Sequence, residues 1–167
     1  MLQAIAQVPD VRGVVLGNGE NKAYVDSLHQ LAEDLQVSDR VLFHPAVPIE
    51  ILRNYVSAAD LGVVTVLATS KSYYYMLPNK FFECIQSLTP VVVSDFPETG
   101  SITDKYGIGL KVDPAEICQI SDAIVKMRDD KAFYALCKEN LRTAKEELCW
   151  EKEKEKLKEA YQAILAP

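Results

Sequence analysis

Apolar residues along this chain follow two alternating rhythms. Short, nearly unbroken apolar runs at 14–16, 41–43, 61–66, 91–93 and 109–112 read as strands. Between them, apolar positions recur at helical spacing. Tyr24, Leu28, Leu31, Ala32 and Leu35 do so within 21–35, and Ile51, Leu52, Tyr55 and Val56 do so after Pro48. Phe81, Phe82, Ile85 and Leu88 form the apolar side of a helix predicted over 78–88. A short helix is expected around 97–105, and helices over about 114–128, 130–147 and 150–165 complete the pattern. The run 61–66 suits a strand covered by helices on both faces. Residues 1–8 read as a crossover helix without a strand in front of it. This alternation predicts an α/β fold, a doubly wound parallel sheet lacking its first strand, within one domain over 1–167. No internal repeat, low-complexity tract or linker interrupts it.

Right-handed crossovers bring the carboxyl ends of such strands to one edge, where ligands bind. Gly17-Asn18-Gly19 falls there, between a strand and a helix. Small residues let a nucleotide approach the backbone, while a plain strand-to-helix turn is the alternative. The third Gly of the dinucleotide fingerprint is absent, so no cofactor is implied. His44-Pro45-Ala46-Val47 offers main-chain groups to a nucleobase edge, or is only a rigid loop. The 67–77 segment exceeds the ~2–6 residues usual in a βα connection. Its Lys71, Tyr73, Tyr74 and Tyr75 suit a hydroxyl-rich or ring-shaped ligand, and a packed surface loop is the alternative.

The 78–88 helix carries the sharpest chemistry. Pro78 is preorganised for a first helical position. Lys80 stands near the positive end and Glu83 one turn inside, and Asn79, Glu83 and Gln86 share one polar stripe. A helix start with a nearby Lys holds phosphate. A carboxylate one turn on accepts two hydrogen bonds from a sugar diol. Together they point to a nucleotide-diphosphate ligand, with a solvated surface Glu as the plainer alternative. Asp95 is expected to N-cap the next helix, and Asp60 to start a strand.

Net charge is −6 without an extended basic patch, which argues against a nucleic-acid partner. The charged run at 151–158 alternates in sign, as a solvated helix face does. None of the four cysteines forms a C-x-x-C pair and only two histidines are present, so no metal site is expected. Buried, reduced thiols are expected instead. No signal peptide is apparent, and no apolar run approaches the ~20 residues that span a bilayer. A cytoplasmic location follows, with any inner-membrane contact made through the rest of a larger enzyme. On the last helix, Trp150, Leu157, Ala160, Tyr161 and Ile164 form a strip free to pack on this domain or on a neighbour.

Four segments, in order and spacing, resemble the C-terminal half of a B-type glycosyltransferase close to the family 4 retaining enzymes. Val15-Leu16-Gly17-Asn18-Gly19 resembles that family's strand and G-x-G, and residues 40–47 resemble its V-x-F-x-G-x-V segment. Tyr55-Val56-Ser57-Ala58-Ala59-Asp60 resembles its Y-x-x-A-D. Pro78-Asn79-Lys80-Phe81-Phe82-Glu83 with Pro90-Val91-Val92-Val93-Ser94-Asp95 resembles its P-N-K-L-F-E and P-V-V-x-S-D. Trp150 stands where the family often has a Trp at the start of its last helix.

The resemblance implies a Rossmann-like domain that binds a nucleotide diphosphate sugar, without cofactor or metal. Glu83 would hold the ribose hydroxyls, and backbone amides around Asn79 and Lys80, beside Pro78, would face the diphosphate. Ala46 and Val47 would touch the base through the main chain, and Gly17 and Gly19 would line the cleft. Tyr75 stands where the family has the first Glu of E-x7-E, at the donor sugar, and His44 stands where Gly is usual. The family's diphosphate-clamping Arg and Lys, and its N-terminal acceptor domain, belong to polypeptide that would precede Met1. The implied activity is hexosyl transfer in surface polysaccharide or glycolipid synthesis. Alternatives are a non-catalytic nucleotide-binding module, half of a nucleotide-sugar epimerase, and a flavodoxin-like or receiver-like domain. The last would need an acidic cluster where Gly17-Asn18-Gly19 stands.

Overall fold

The computed structural model describes residues 1–19 and 21–165. Among these, α1 (Leu2–Gln7) leads into β1 (Gly13–Leu16), α2 (Lys22–Asp34), β2 (Val41–His44), α3 (Ile49–Ser57) and β3 (Gly62–Val64). The one-turn α4 (Lys71–Tyr74), α5 (Asn79–Gln86), β4 (Val91–Ser94), α6 (Pro97–Tyr106) and β5 (Gly109–Val112) follow. Then come α7 (Ile117–Asp129), α8 (Lys131–Glu147) and α9 (Trp150–Leu165). Every strand pair is parallel, as predicted. The hydrogen-bond ladder is divided, however, into a β1-β2 sheet and a β3-β4-β5 sheet.

Several predicted boundaries shift for local reasons. β3 ends at Val64 rather than at residue 66 because a side chain takes over from the ladder. The Val66 amide donates to Ser94 Oγ at 2.7 Å, and that hydroxyl donates to the Val66 carbonyl at 2.8 Å. The predicted 67–77 loop contains α4, N-capped by Ser70. Pro78 is the N-cap of α5 and not its first residue, with an extended ψ of 141° and a carbonyl accepting from the Phe81 amide at 2.9 Å. Asp95 does not cap α6. Phe96 occupies that position, and the Asp95 carboxylate turns to Lys111 at 3.1 Å.

Three apolar clusters hold the layers together. Val91 and Val93 face Phe81, Ile85, Ile108 and Leu141, all fully buried. Val92, pointing to the opposite face of β4, packs with Val112, Ile120, Ile124 and Met127. Each such side chain contributes about 1.5–3 kcal/mol of transfer free energy. The third cluster joins Val41 with Ala32 and Val37, under α2.

Helix α1 belongs to two clusters at once. Leu2 and Ile5 pack with the β1-β2 unit, while Ala4 and Val8 pack with α7 and the face of β4 and β5 that carries Val92 and Val112. Arg40 anchors the end of α1 by donating to the carbonyls of Ile5, Val8 and Val11 at 3.0, 2.8 and 3.3 Å. The two sheets are therefore tied through a helix rather than through a shared ladder.

Cys84 and Cys137 are buried free thiols, as expected, but Cys118 is exposed and Cys149 half-buried. No residue of α9 is buried. Trp150, Tyr161 and Ile164 stay 66%, 60% and 78% exposed, so the strip does not fold back onto this domain.

Candidate functional site

Within each sheet the strands run together, so their carboxyl ends share an edge, and α5 starts at that edge because it returns antiparallel from β3. At the exit of β1, Gly17 and Gly19 both adopt positive φ, 144° and 61°. A Cβ on Gly19 would also collide with Val25, whereas one on Gly17 would meet nothing. Both glycines are thus set by the turn's backbone, and Gly17 additionally leaves open space beside it.

Asn18, between them, supplies a link that the motif does not announce. Its Oδ1 accepts from the Ala46 amide at 2.8 Å. This ties the exit of β1 to the exit of β2 and occupies the Ala46 N–H. A base at this edge would therefore find the Ala46 carbonyl and the main chain of Val47. His44 ends β2, with Nδ1 2.7 Å from the Pro45 carbonyl and its ring 5.2 Å from that of Tyr55.

At the start of α5, the amides of Asn79 and Lys80 have no backbone acceptor among the described residues, while Phe81 bonds back to Pro78. Pro78 is buried, and Asn79 and Lys80 are exposed. Glu83 is half-buried one turn further in. Among the described residues, neither Lys80 nor Glu83 forms an ion pair. The two charges act on their buried neighbour Cys84. Burial first and the Glu83 charge second push that thiol up to about 11, with Lys80 opposing both. The third member of the polar stripe is structural. Gln86 Nε2 donates to the carbonyls of Lys145 and Leu148 at 3.1 and 3.0 Å, capping the end of α8.

The tyrosines of the long loop gather at the same edge. The Tyr74 ring lies 5.0 Å from Tyr75, edge to face, and 5.0 Å from Phe96, which follows β4. Tyr75 itself is 57% exposed. Phe96 and the Ser94 hydroxyl, which together set the position of this loop, carried no sequence signal for that task.

Two cavities lie away from this edge. One of about 210 Å³ lies between Asp60, Ile124, Arg128 and Tyr134, and one of about 410 Å³ beside Gln86, Arg142 and Cys149. Neither is lined by Glu83, Asn79 or Lys80. Among the described residues no group of three or more His, Cys, Asp or Glu is placed to hold a metal ion.

Comparison with known proteins shows what the chain as a whole is similar to. A D-inositol 3-phosphate glycosyltransferase of Mycolicibacterium smegmatis (strain ATCC 700084 / mc(2)155) is 41% identical over 75 residues, covering 44% of this chain and 17% of that protein. One from Mycobacterium sp. (strain KMS) is 35% identical over 117 residues, 65% of this chain and 26% of that protein. The chain thus spans about a quarter or less of these relatives' lengths.

Among solved structures, sucrose-phosphate synthase from Thermosynechococcus elongatus superposes with a TM-score of 0.86 at 24% identity. That match covers 99% of this chain and 41% of that one. HepE of Anabaena, solved in complex with UDP-glucose, matches with a TM-score of 0.75 at 20% identity, over 86% of this chain and 38% of its own. These likenesses establish the B-type glycosyltransferase fold. The profile described as Glycosyl transferases group 1 matches residues 1–130, and by that match this chain belongs to the group 1 glycosyl transferases.

Proposed function

We propose that this chain is the donor-binding part of a glycosyltransferase that moves a hexose from a nucleotide diphosphate sugar to an acceptor hydroxyl. The observation that carries the reading is the start of α5. Two amides without backbone acceptors among the described residues stand there, with Lys80 beside them and, one turn on, the half-buried Glu83, which has no ion-pair partner among those residues. Helix amides and a lysine stabilise the charge that develops on the leaving diphosphate as the bond from the anomeric carbon to phosphate oxygen breaks. A carboxylate without a protein partner is free to accept both hydroxyls of a ribose. Gly17 and Gly19 keep the opposite wall low, Ala46 and Val47 meet the base through main-chain groups, and Tyr75 lies beside the sugar. Family membership supports this assignment, as do the UDP and UDP-glucose complexes of HepE.

The whole protein would add an acceptor domain and a basic clamp for the diphosphate, and would act in surface polysaccharide or glycolipid assembly. Any membrane contact would come from that other part. No helix among the described residues is long and apolar enough to cross a membrane. Alone, the 167-residue chain would bind donor weakly and transfer nothing.

Thermal shift against UDP, UDP-glucose, GDP, GDP-mannose and flavin mononucleotide tests the reading. Stabilisation by UDP or GDP compounds, abolished in Glu83→Ala, is expected. Stabilisation by flavin alone, or by no nucleotide, overturns it. One observation favours a second reading, a non-catalytic nucleotide-binding module. Position 75 holds a tyrosine where the resembling family has a carboxylate at the donor sugar. Donor binding without turnover by the full-length protein would select that reading.

A further inference from the structure

The stretch that joins β3 to α5 carries only positive charge. From Leu61 to Phe82 the chain has no Asp or Glu but includes Lys71 and Lys80, although the whole sequence holds 24 acidic residues against 18 basic ones. This part of the ligand edge therefore runs against the net charge of −6. Both lysines are exposed, and among the described residues neither forms an ion pair.

The two lysines have different places. Lys80 stands at the start of α5, beside the amides that would face the diphosphate. Lys71 opens α4, and the following turn closes on it, since the Tyr75 amide donates to the Lys71 carbonyl at 3.1 Å. Residues four apart on one helical turn share a face, with Cβ atoms about 5–6 Å apart. Lys71 and Tyr75 are such a pair. Side chains hold this turn in place. Ser70 Oγ accepts from the Tyr73 amide at 3.3 Å, and the Tyr74 ring lies 5.0 Å from that of Phe96. Of the acidic residues that follow β4, Asp95 is held by Lys111 at 3.1 Å, and Glu98 lies in the first turn of α6.

We propose that Lys71 and Tyr75 select a donor whose sugar carries a carboxylate, a nucleotide-linked hexuronic acid. The inference rests on the donor-binding reading above, in which Tyr75 lies beside the sugar. An ammonium group only donates hydrogen bonds, and a phenol has one proton to donate. The hydroxyls of a neutral hexose need acceptors as well as donors, and the ammonium offers none. A uronate presents two acceptor oxygens and a full negative charge at C6, so both side chains can direct their protons to it in charge-assisted hydrogen bonds. No acidic side chain between 61 and 82 would repel that charge. The diphosphate has partners of its own in the α5 amides and Lys80, which leaves the second cation to the sugar.

The test is isothermal titration of the 167-residue chain at low ionic strength. The ligands are free UDP and GDP and two matched pairs, UDP-glucose with UDP-glucuronate and GDP-mannose with GDP-mannuronate. Each pair differs only in a hydroxymethyl or a carboxylate at C6. In the pair whose nucleotide binds, the acid should bind about 5-fold or more tighter than the neutral sugar, and added salt should shrink the preference. Lys71→Met should bring the ratio to one or below, Lys71→Arg should keep it, and Tyr75→Glu should reverse it. Equal binding of acid and neutral donors by the wild type would overturn the inference and leave the donor-binding reading standing. So would equal weakening of both donors in Lys71→Met, which would assign that lysine to the diphosphate. Failure of every nucleotide to bind, free UDP and GDP included, would overturn both.

Discussion

The Asn18 side chain accepts a hydrogen bond from the Ala46 amide at 2.8 Å, joining two loops that lie 28 residues apart in sequence. This contact holds the β1 and β2 exits together at the edge where a base is proposed to sit. Asn18→Ala should cost about 0.5–1.5 kcal/mol, at the low end because the site is exposed. Urea denaturation gives that number, and amide exchange at Ala46 should accelerate. An unchanged Ala46 amide would mean that the loop holds itself.

Gly19→Ala should destabilise the fold by about 1–2 kcal/mol, since a φ of 61° disfavours a Cβ and the added methyl meets Val25. A cost below about 0.5 kcal/mol would show that the turn relaxes into another conformation.

The cysteines should react in order of burial. With its thiol pushed up to about 11, Cys84 should resist alkylation at pH 8 while exposed Cys118 is modified quickly, as peptide mass mapping would report. Glu83→Gln should bring the Cys84 value down without making it reactive, because burial is the larger cause. Equal labelling of Cys84 and Cys118 would contradict the packing around α5.

Lys111 bridges Asp104 at 2.7 Å and Asp95 at 3.1 Å, just beyond β4. Its hydrogen bonds, first to Asp104 and then to Asp95, raise its pKa above the ordinary 10.5. A raised basic pKa means that the stabilisation is complete below pH 10.5 and is lost as pH rises through the folded-state value. Because both carboxylates are solvent-screened, Lys111→Met should cost at most about 0.5–1 kcal/mol. The gap from wild type should close in strong alkali. A gap that persists there would assign the effect to packing of the lysine stem.

Removing α9 should leave the rest of the domain intact. A chain ending at Cys149 loses no buried residue and keeps the Leu148 carbonyl that Gln86 caps. Its melting temperature should stay within about 2 °C of the parent. A much larger drop would mean that the exposed strip finds a partner within this domain.

The α/β architecture was legible because it is written locally. Apolar runs at 91–93 and the stripe of Phe81, Phe82 and Ile85 predict a strand and a helix that the structure contains, within a residue or two. The turn at Gly17-Asn18-Gly19 and the helix start beside Lys80 were legible for the same reason. Asp95 was misplaced as a cap because a carboxylate beside a helix start looks the same whether or not a lysine arrives from another strand. Gln86 looked like a neighbour of Glu83 on a polar face, and its amide was already committed to α8, some 60 residues away.

The order of residues alone decides which segments become strands and helices, since periodicity and turn chemistry act over a few positions. It also decides that Glu83 rides one turn inside a helix whose start carries Lys80. Only the tertiary structure decides that the ladder breaks between β1 and β3, that α1 ties the halves together, and that Asn18 spans two loops. Those outcomes depend on hydrogen bonds and packing between distant residues, and their geometry exists only once the chain has closed on itself.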